Sequence, residues 1–199
     1  MFLNQHNLLP VDGAAYYLPD FMDKNLADEY FNYFLQNIPW QHDQVIMFGK
    51  KITTKRQVAW YGDEGSNYTY AKVHKIPIPW NNTLLQLKKH IETLCHQNFN
   101  AVLMNLYANG HEGMTWHSDN EKELDPTGII ASVSLGAERL FQFKHKNKEF
   151  ALSCSLAHGS LLLMDQHSQS FWRHQLPLSK RILEPRINLT FRRIIKSNA

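Results

Sequence analysis

Three residues, two of them close together in the chain and one distant, have the side-chain chemistry of a metal site. His117 and Asp119 stand two positions apart, so their side chains share one face if the segment is extended. His174 follows the aromatic pair Phe171 and Trp172, just before a Leu-Pro-Leu turn. Two imidazoles and one carboxylate can hold Fe(II) on one face and leave the other positions open. In a chain with 11 histidines, a His-x-Asp pair alone would be weak evidence.

A second candidate feature lies near the C-terminus, where polar and apolar side chains alternate strictly. The polar positions are Arg186, Asn188, Thr190 and Arg192, and the apolar ones are Ile187, Leu189 and Phe191. Because successive side chains of a strand point to opposite faces, the polar four form one donor-rich wall. Two guanidiniums beside an amide and a hydroxyl suit a small dianion. Taken alone, the segment could equally be an edge strand with one solvated face.

These motifs occur in an order that resembles one enzyme family. Asn105 and Tyr107 are followed by the His-x-Asp pair, by the distant histidine and by the two-arginine strand. This order resembles the AlkB family of Fe(II)/2-oxoglutarate-dependent dioxygenases, in particular its eukaryotic-type DNA-repair homologues. The resemblance extends over residues 47–194. It includes Phe48-Gly49-Lys50 and Tyr61-Gly62-Asp63 and the segments at 130–136 and 156–161.

The resemblance implies a cofactor set and a reaction. His117, Asp119 and His174 would bind Fe(II), with 2-oxoglutarate as co-substrate and O2 as oxidant. Oxidation of 2-oxoglutarate to succinate and carbon dioxide would hydroxylate an N-methyl group, which is then lost as formaldehyde. The implied activity is oxidative demethylation of N-alkylated bases in DNA, such as 1-methyladenine and 3-methylcytosine.

The co-substrate is expected to lie against the polar wall. We assign its two carboxylates to Arg186 and Arg192, and the resemblance gives the distal one to Arg186 and the iron-chelating end to Arg192. A buried dianion must be fully paired to be tolerated. The hydrogen bonds would be completed by Asn105, Tyr107, Asn188 and Thr190. A packing aromatic is the alternative for Tyr107.

Substrate contacts are predicted on other segments. A methyl group on a Watson–Crick nitrogen is hidden in a duplex, so the base must be flipped out. The resemblance implies that Tyr68 and Tyr70 stack on it, although Tyr-x-Tyr also fits cross-strand packing. It also implies that Glu121 contacts the exocyclic amine of the base; the alternative is a solvated loop carboxylate. Phe48 would enter the stack and fill the vacancy. Basic residues at the mouth, Arg56 among them, could follow phosphates.

The other basic residues expected at this mouth have one alternative in common: each is simply a solvent-exposed charge. They are Lys50, Lys51, Lys55, Lys144, Lys146, Lys180 and Arg181. Trp116 and Ser118, on either side of His117, depart from the small or charged residues expected there in the family. The departure leaves the preferred lesion open.

Short strands separated by turn residues dominate the remaining pattern. Asp23 can cap a helix that ends near Asn37, and a second helix begins at Asn81 or Asn82. Strands are predicted at 45–48, 58–61, 101–107, 129–135, 140–144, 150–156, 160–164, 171–174 and 186–195. We therefore expect an α+β, mainly β fold, a double-sheet jelly roll or barrel with N-terminal helices packed on one sheet. The resemblance implies that this barrel is a double-stranded β-helix.

Length and composition set the remaining expectations. A chain of 199 residues suggests a single catalytic domain, with an N-terminal extension and helix (1–44), a nucleotide-recognition region (45–80) and a dioxygenase core (101–195). The 21 basic and 18 acidic residues give a net charge of +3, which fits a polyanion partner without proving one.

The cysteines and the absence of a long apolar run bear on location. Cys95 and Cys154 are too few for a disulfide framework, which favours a reducing compartment. We expect a monomer without membrane association that is not secreted, cytoplasmic if bacterial and nuclear if eukaryotic. Two alternatives to DNA repair stay open: the same chemistry on RNA or protein, and a catalytically silent barrel that binds nucleic acid.

Overall fold

The structure, a computed structural model, describes residues 6–47, 50–66, 68–70 and 73–195. Its helices are α1 (Lys24–Asn37), α2 (Asn82–Cys95) and α3 (Gln166–Phe171). The strands are β1 (Ala15–Leu18), β2 (Gln41–Met47), β3 (Lys50–Gly62), β4 (Tyr68–Tyr70), β5 (Val73–Lys75), β6 (Ala101–Tyr107), β7 (Met114–His117), β8 (Ile129–Gly136), β9 (Arg139–His145), β10 (Ala151–Leu156), β11 (Ser160–Asp165), β12 (Trp172–Leu176) and β13 (Arg186–Arg192).

The strands form two main sheets and a small ribbon. A seven-stranded sheet has the order β1-β11-β8-β13-β6-β3-β2, and a four-stranded sheet has the order β10-β9-β12-β7. Strands β4 and β5 pair with each other in a two-stranded sheet. All pairings between these strands are antiparallel. This architecture confirms the predicted mainly β, jelly-roll fold.

Both long helices begin at the predicted caps. The Asp23 carboxylate accepts the Leu26 N–H at 2.9 Å, and the Asn81 side chain accepts the Leu84 N–H at 2.8 Å. Each cap satisfies a backbone donor that the first helical turn leaves without an intrahelical partner. The apolar stripes of both helices pack into one hydrophobic cluster on the large sheet, as predicted for N-terminal helices covering one face.

Strand β13 lies in the middle of the large sheet, between β8 and β6. Its apolar side chains belong to the cluster beneath the helices. Its polar side chains therefore point to the other face, toward the four-stranded sheet, and every residue of the strand is buried. The edge-strand alternative is wrong, because the polar wall faces an enclosed space instead of solvent.

Three local predictions differ from the structure. Strands β1, β5 and β7 and helix α3 were absent from the expected elements, and Phe171 ends α3 instead of beginning a strand. Strand β3 is 13 residues long, well beyond the four predicted.

Cys95 and Cys154 are free thiols, and burial raises their pKa to about 12 and about 11. In the described part of the chain, no helix combines the length and apolar character that crossing a membrane requires.

Candidate active site

The three predicted metal ligands converge on the four-stranded sheet. His117 ends β7 and His174 lies directly opposite it on β12, while Asp119 follows β7 in the next loop. Their candidate ligand atoms all lie within 4.8 Å of one another. The two Nε2 atoms are 3.1 Å apart, close to the separation of about 3 Å between adjacent ligands with metal–imidazole bonds of about 2.1 Å.

Both imidazoles are oriented with Nε2 toward the shared centre. Nδ1 of His117 lies 2.7 Å from the Thr115 carbonyl oxygen, so this nitrogen carries the proton and Nε2 keeps its lone pair. The ring of Phe141 stacks on His174 at 5.3 Å between ring centroids. Burial lowers the pKa of His174 to about 3. Neutral imidazoles with a free Nε2 are the form that binds metal.

The Asp119 carboxylate is the charged candidate ligand, and it lies between the Arg192 guanidinium and the two histidines. Burial by itself would raise the pKa of its carboxyl group, but Arg192, His174 and His117 together outweigh burial, and the pKa falls to about 2. Nη2 of Arg192 lies 3.0 Å from Oδ2 of Asp119, and Oδ1 lies 3.8 Å from Nε2 of His117. One carboxylate oxygen is thus held by arginine while the other faces the metal position.

The opposite wall of the pocket carries Arg186. This side chain is 2% exposed and donates through Nη2 to Oγ of Ser134 at 2.9 Å. Its Nε is buried without a hydrogen-bond partner among the described residues. Burial lowers the pKa of the guanidinium to about 10, so it stays charged at neutral pH. A buried cation with an unused donor is suited to an incoming carboxylate.

The rest of the polar wall is joined by hydrogen bonds. Asn188 donates to Oγ of Ser132 at 2.8 Å, and Thr190 donates to Oδ1 of Asn188 at 3.1 Å. Asn105, which pairs with Asn188 across the sheet, accepts from Nε of Arg56 at 3.0 Å. These bonds fix the orientation of each amide. A neighbouring donor must face the amide oxygen, and a neighbouring acceptor must face the amide nitrogen.

A single pocket brings the two groups together. It is lined by Leu103, Asn105, Tyr107, Met114, His117, Asp119, Ser132, Phe141, Met164, His174, Leu176, Arg186, Asn188, Thr190 and Arg192. All nine residues predicted for iron and co-substrate are among them. The serines of β8 and Phe141 were missed. A signal for Ser132 and Ser134 existed in the alternation of serine with apolar residues along 130–135, whereas nothing local distinguishes Phe141.

The donor set fits the groups that the sequence implied. Two imidazoles whose Nε2 atoms are 3.1 Å apart and an ionised carboxylate at one end match an open Fe(II) site. At the other end, Arg186 offers its unpaired Nε, and its guanidinium carbon lies 5.6 Å from the centre of the Tyr107 ring. The pocket lining thus offers partners for both carboxylates of a dianion.

Of the predicted base and wedge contacts, the structure describes the side chain of Glu121 alone. Phe48 lies outside the described residues, and the side chains of Tyr68 and Tyr70 on β4 also lie outside the described part. Glu121 is half-buried two residues beyond Asp119 and does not line the pocket. Of the predicted substrate contacts in this group, the described part of the chain therefore places only Glu121, next to the pocket residues and not among them.

Arg56 is placed differently from the expected phosphate contact. It is 7% exposed, it bonds Asn105, and its Nη2 lies 3.6 Å from Oδ2 of Asp43. A guanidinium paired with a buried carboxylate is not available to solvent phosphates, so that role is incorrect for the observed conformation. Lys146 is likewise engaged, since its ammonium donates to the carbonyls of Gln169 and Ser170.

Other predicted phosphate contacts remain exposed. Lys55, Lys144, Lys180 and Arg181 are all open to solvent. The side chains of Lys50 and Lys51 lie outside the described part of the chain. Trp116 is 39% exposed, and the Ser118 hydroxyl donates to the Trp172 carbonyl at 2.7 Å, so the departures next to His117 are accommodated without disturbing the ligand.

A jelly-roll fold that holds two histidines and an aspartate opposite a buried arginine defines a non-haem iron oxygenase of the 2-oxoglutarate-dependent class. Comparison of the sequence agrees, because the model of the 2OG-Fe(II) oxygenase superfamily matches residues 14–192. The chain belongs to this superfamily and, within it, to the AlkB family. The family confirms the predicted cofactors: Fe(II), 2-oxoglutarate and O2.

Similar proteins fall into the same family. The chain is 41% identical over 160 residues to the human protein named DNA oxidative demethylase ALKBH2. The aligned region covers 76% of this chain and 61% of that protein. It is 37% identical over 186 residues to bovine alpha-ketoglutarate-dependent dioxygenase alkB homolog 3, covering 88% and 64%. The chain thus spans less than two thirds of the length of these two relatives.

Solved structures support the fold. The structure of OsALKBH1 superposes with a TM-score of 0.66 at 14% identity, covering 93% of this chain and 99% of that chain. A 2OG-Fe(II) oxygenase family oxidoreductase from Burkholderia pseudomallei gives a TM-score of 0.61 at 12% identity, covering 89% and 84%. At these identities the likeness establishes the architecture alone.

Proposed function

We propose that the protein is an oxidative demethylase that repairs N-alkylated bases in DNA, with 1-methyladenine and 3-methylcytosine as substrates and formaldehyde and succinate as products. The observation that carries this proposal is the single pocket in which His117, Asp119 and His174 face a buried, incompletely bonded Arg186. The printed names of the similar human and bovine proteins support the choice of reaction and of DNA.

In this proposal, the chain's residues divide into a metal end and a carboxylate end. Nε2 of both histidines and Oδ1 of Asp119 would hold Fe(II), with the proton of His117 kept on Nδ1 by the Thr115 carbonyl. Arg192 keeps Asp119 ionised. At the far end, Arg186 would bind the distal carboxylate of 2-oxoglutarate as a two-pronged donor.

Bound together, Fe(II) and 2-oxoglutarate supply the oxidation of a substrate C–H bond by O2, with 2-oxoglutarate leaving as succinate and carbon dioxide. The protein positions the reactants and limits access of water. The hydroxymethyl group formed on the base nitrogen then breaks down to formaldehyde and the repaired base. None of these steps requires a protein nucleophile.

The base is proposed to approach from the side of His117. The His117 side chain is 27% exposed, whereas His174 and Asp119 are 3% and 4% exposed. Among the three candidate ligands, His117 is therefore the one that solvent reaches most readily. Tyr68, Tyr70 and Glu121 remain proposed base contacts on this side, and Phe48 the proposed wedge. Residues 45–80 as a nucleotide-recognition region, within a single catalytic domain, likewise stay a prediction.

Arg56 is proposed to support the co-substrate wall from the nucleotide-recognition region. Its bond to Asn105 links β3, which follows the proposed Phe48 tip, to a residue of the 2-oxoglutarate pocket. The exposed cations Lys55 and Lys144 are the better placed phosphate contacts.

The function is tested by incubating the protein with Fe(II), 2-oxoglutarate and oligonucleotides that carry one 1-methyladenine or 3-methylcytosine. Repair is followed by the loss of the methyl mass, and succinate is measured in parallel. DNA and RNA of the same sequence are compared as single strands and duplexes. Succinate release only with methylated RNA would replace the DNA substrate, and no metal-dependent succinate at all would favour a silent binding barrel.

A further inference from the structure

The loop that carries Asp119 is held by two glutamine side chains of helix α3. Oε1 of Gln169 accepts the backbone N–H of Asp119 at 3.0 Å. Nε2 of Gln166 donates to the backbone carbonyl of Asp119 at 2.9 Å. The two glutamines are three residues apart and so lie on one face of the helix. Together they bond both backbone polar groups of a single residue.

The direction of these bonds is determined by the backbone. An N–H can only donate and a carbonyl can only accept, so Gln169 must present its oxygen and Gln166 its nitrogen. Gln169 is 2% exposed, and its Nε2 also donates to Oγ of Ser168 at 3.1 Å. A buried amide with both of its ends engaged has one orientation.

Helix α3 is itself well anchored and leads directly into the strand of His174. The Asp165 carboxylate caps its start by accepting the Ser168 N–H at 2.8 Å. The Lys146 ammonium binds the Gln169 and Ser170 carbonyls at its end, at 2.8 and 3.0 Å. The glutamines therefore tie the loop of one candidate ligand to the element that carries another.

We propose that Gln169, with Gln166, is a positioning residue that sets the carboxylate of Asp119 for metal binding. The role rests on the proposed iron site and deepens it. Asp119 lies in a loop beyond the last residue of β7, so sheet pairing does not fix its backbone. A carboxylate that must meet two imidazoles needs that backbone held, and outer-shell contacts of this kind are typically worth about 10- to 100-fold in metal affinity.

The test measures Mn(II) affinity of the metal-free full chain by titration calorimetry, since Mn(II) reports binding without turnover. Gln169→Met removes the acceptor at similar volume and is expected to weaken Mn(II) binding by about 10-fold or more. Gln175→Met is the matched control. Gln175 follows His174 on the same strand and bonds Gln142 at 2.6 Å, away from Asp119, so its Mn(II) affinity should equal the wild type.

A second pair of variants tests the direction of the bonds. Gln166→Glu and Gln169→Glu each add one negative charge on the same helical turn. In Gln169→Glu, the new carboxylate can still accept the Asp119 N–H. In Gln166→Glu, the new carboxylate faces the Asp119 carbonyl oxygen and is repelled by it. Gln166→Glu should therefore bind Mn(II) more weakly than Gln169→Glu, and this comparison holds even if Gln169→Met fails to fold.

The outcomes separate this proposal from the metal site itself. Wild-type Mn(II) affinity in Gln169→Met, or an equal loss in Gln175→Met, would overturn the positioning role and leave the site intact. The same holds if the two glutamate variants bind alike. If the wild type binds neither Mn(II) nor Fe(II), the proposed iron site falls and the positioning role falls with it.

Discussion

Arg186 is expected to stabilise the co-substrate complex while destabilising the free protein. In the free structure its guanidinium is buried, has no carboxylate partner among the described residues, and leaves Nε unbonded. We therefore expect Arg186→Met to raise the free energy of unfolding of the ligand-free protein. The same substitution should nearly eliminate 2-oxoglutarate binding, because methionine cannot pair with a carboxylate.

The expected size follows from the surroundings of Arg186. The fall of its pKa from 12.5 to about 10, caused by burial, corresponds to about 3 kcal/mol against the charged form. Loss of the Ser134 hydrogen bond costs about 1 kcal/mol, and loss of the contact with the Tyr107 ring costs about 1 kcal/mol. The net gain is about 1 kcal/mol, or about 3 °C in melting temperature for a chain of this size.

The opposite effect applies to the complex. Removing one partner of a buried charge pair costs about 2–5 kcal/mol, which is roughly a 30- to 4,000-fold loss of affinity. Urea unfolding of the ligand-free protein gives the first quantity. Calorimetric titration with 2-oxoglutarate in the presence of Mn(II) and the absence of O2 gives the second.

Arg139 provides the matched control. It is 1% exposed and lies 6.0 Å from the same Tyr107 ring, but it donates to the Glu112 and Pro177 carbonyls at 2.8 Å. Arg139→Met should therefore destabilise the protein, because it leaves buried acceptors unpaired. Destabilisation of both variants by a similar amount would refute the reasoning about Arg186. Unchanged 2-oxoglutarate affinity in Arg186→Met would place the co-substrate elsewhere.

Three further predictions concern the metal ligands and the proposed wedge. His117→Ala, Asp119→Ala and His174→Ala should each abolish succinate release while circular dichroism shows an intact fold; substantial activity of His174→Ala at saturating iron would remove it from the ligand set. The free energy of unfolding of the metal-free protein, measured in urea, should fall as pH drops from 6.5 toward 3. Burial lowers the pKa of His174 in the folded state, so over this range the unfolded state binds a proton that the folded state does not. His174→Phe should flatten that profile. Phe48→Ala should weaken repair in duplexes more than in single strands; equal losses with a lower melting temperature would identify a core residue.

The helices and the character of most strands could be predicted because their signals are local. Asp23 and Asn81 cap helices through bonds to residues three positions on. The alternation in β13 depends only on the pleat of a strand. Helix α3 escaped prediction because its six residues are mostly polar and too short for a periodic stripe. Its Asp165 cap is a local signal of the same kind, but no apolar stripe follows it.

The placement of Arg56 shows the limit of composition as a guide. A basic residue in a polar segment is usually solvated. Here Asn105, 49 residues away in the chain, and the Asp43 carboxylate compensate its burial. Neither partner is apparent from the neighbouring residues, so exposure was the reasonable expectation and the tertiary structure overturned it.

The sequence by itself determined the chemistry of the site: which residues have metal-binding side chains, which strand has a polar face, and, by resemblance, which cofactors they serve. These properties reside in residue type and spacing along one strand. Only the tertiary structure decided that His117 and His174, 57 residues apart, are direct cross-strand neighbours and that the polar face of β13 is enclosed. The alternation within one strand fixes which face is buried, but it does not identify the distant strand that pairs with it.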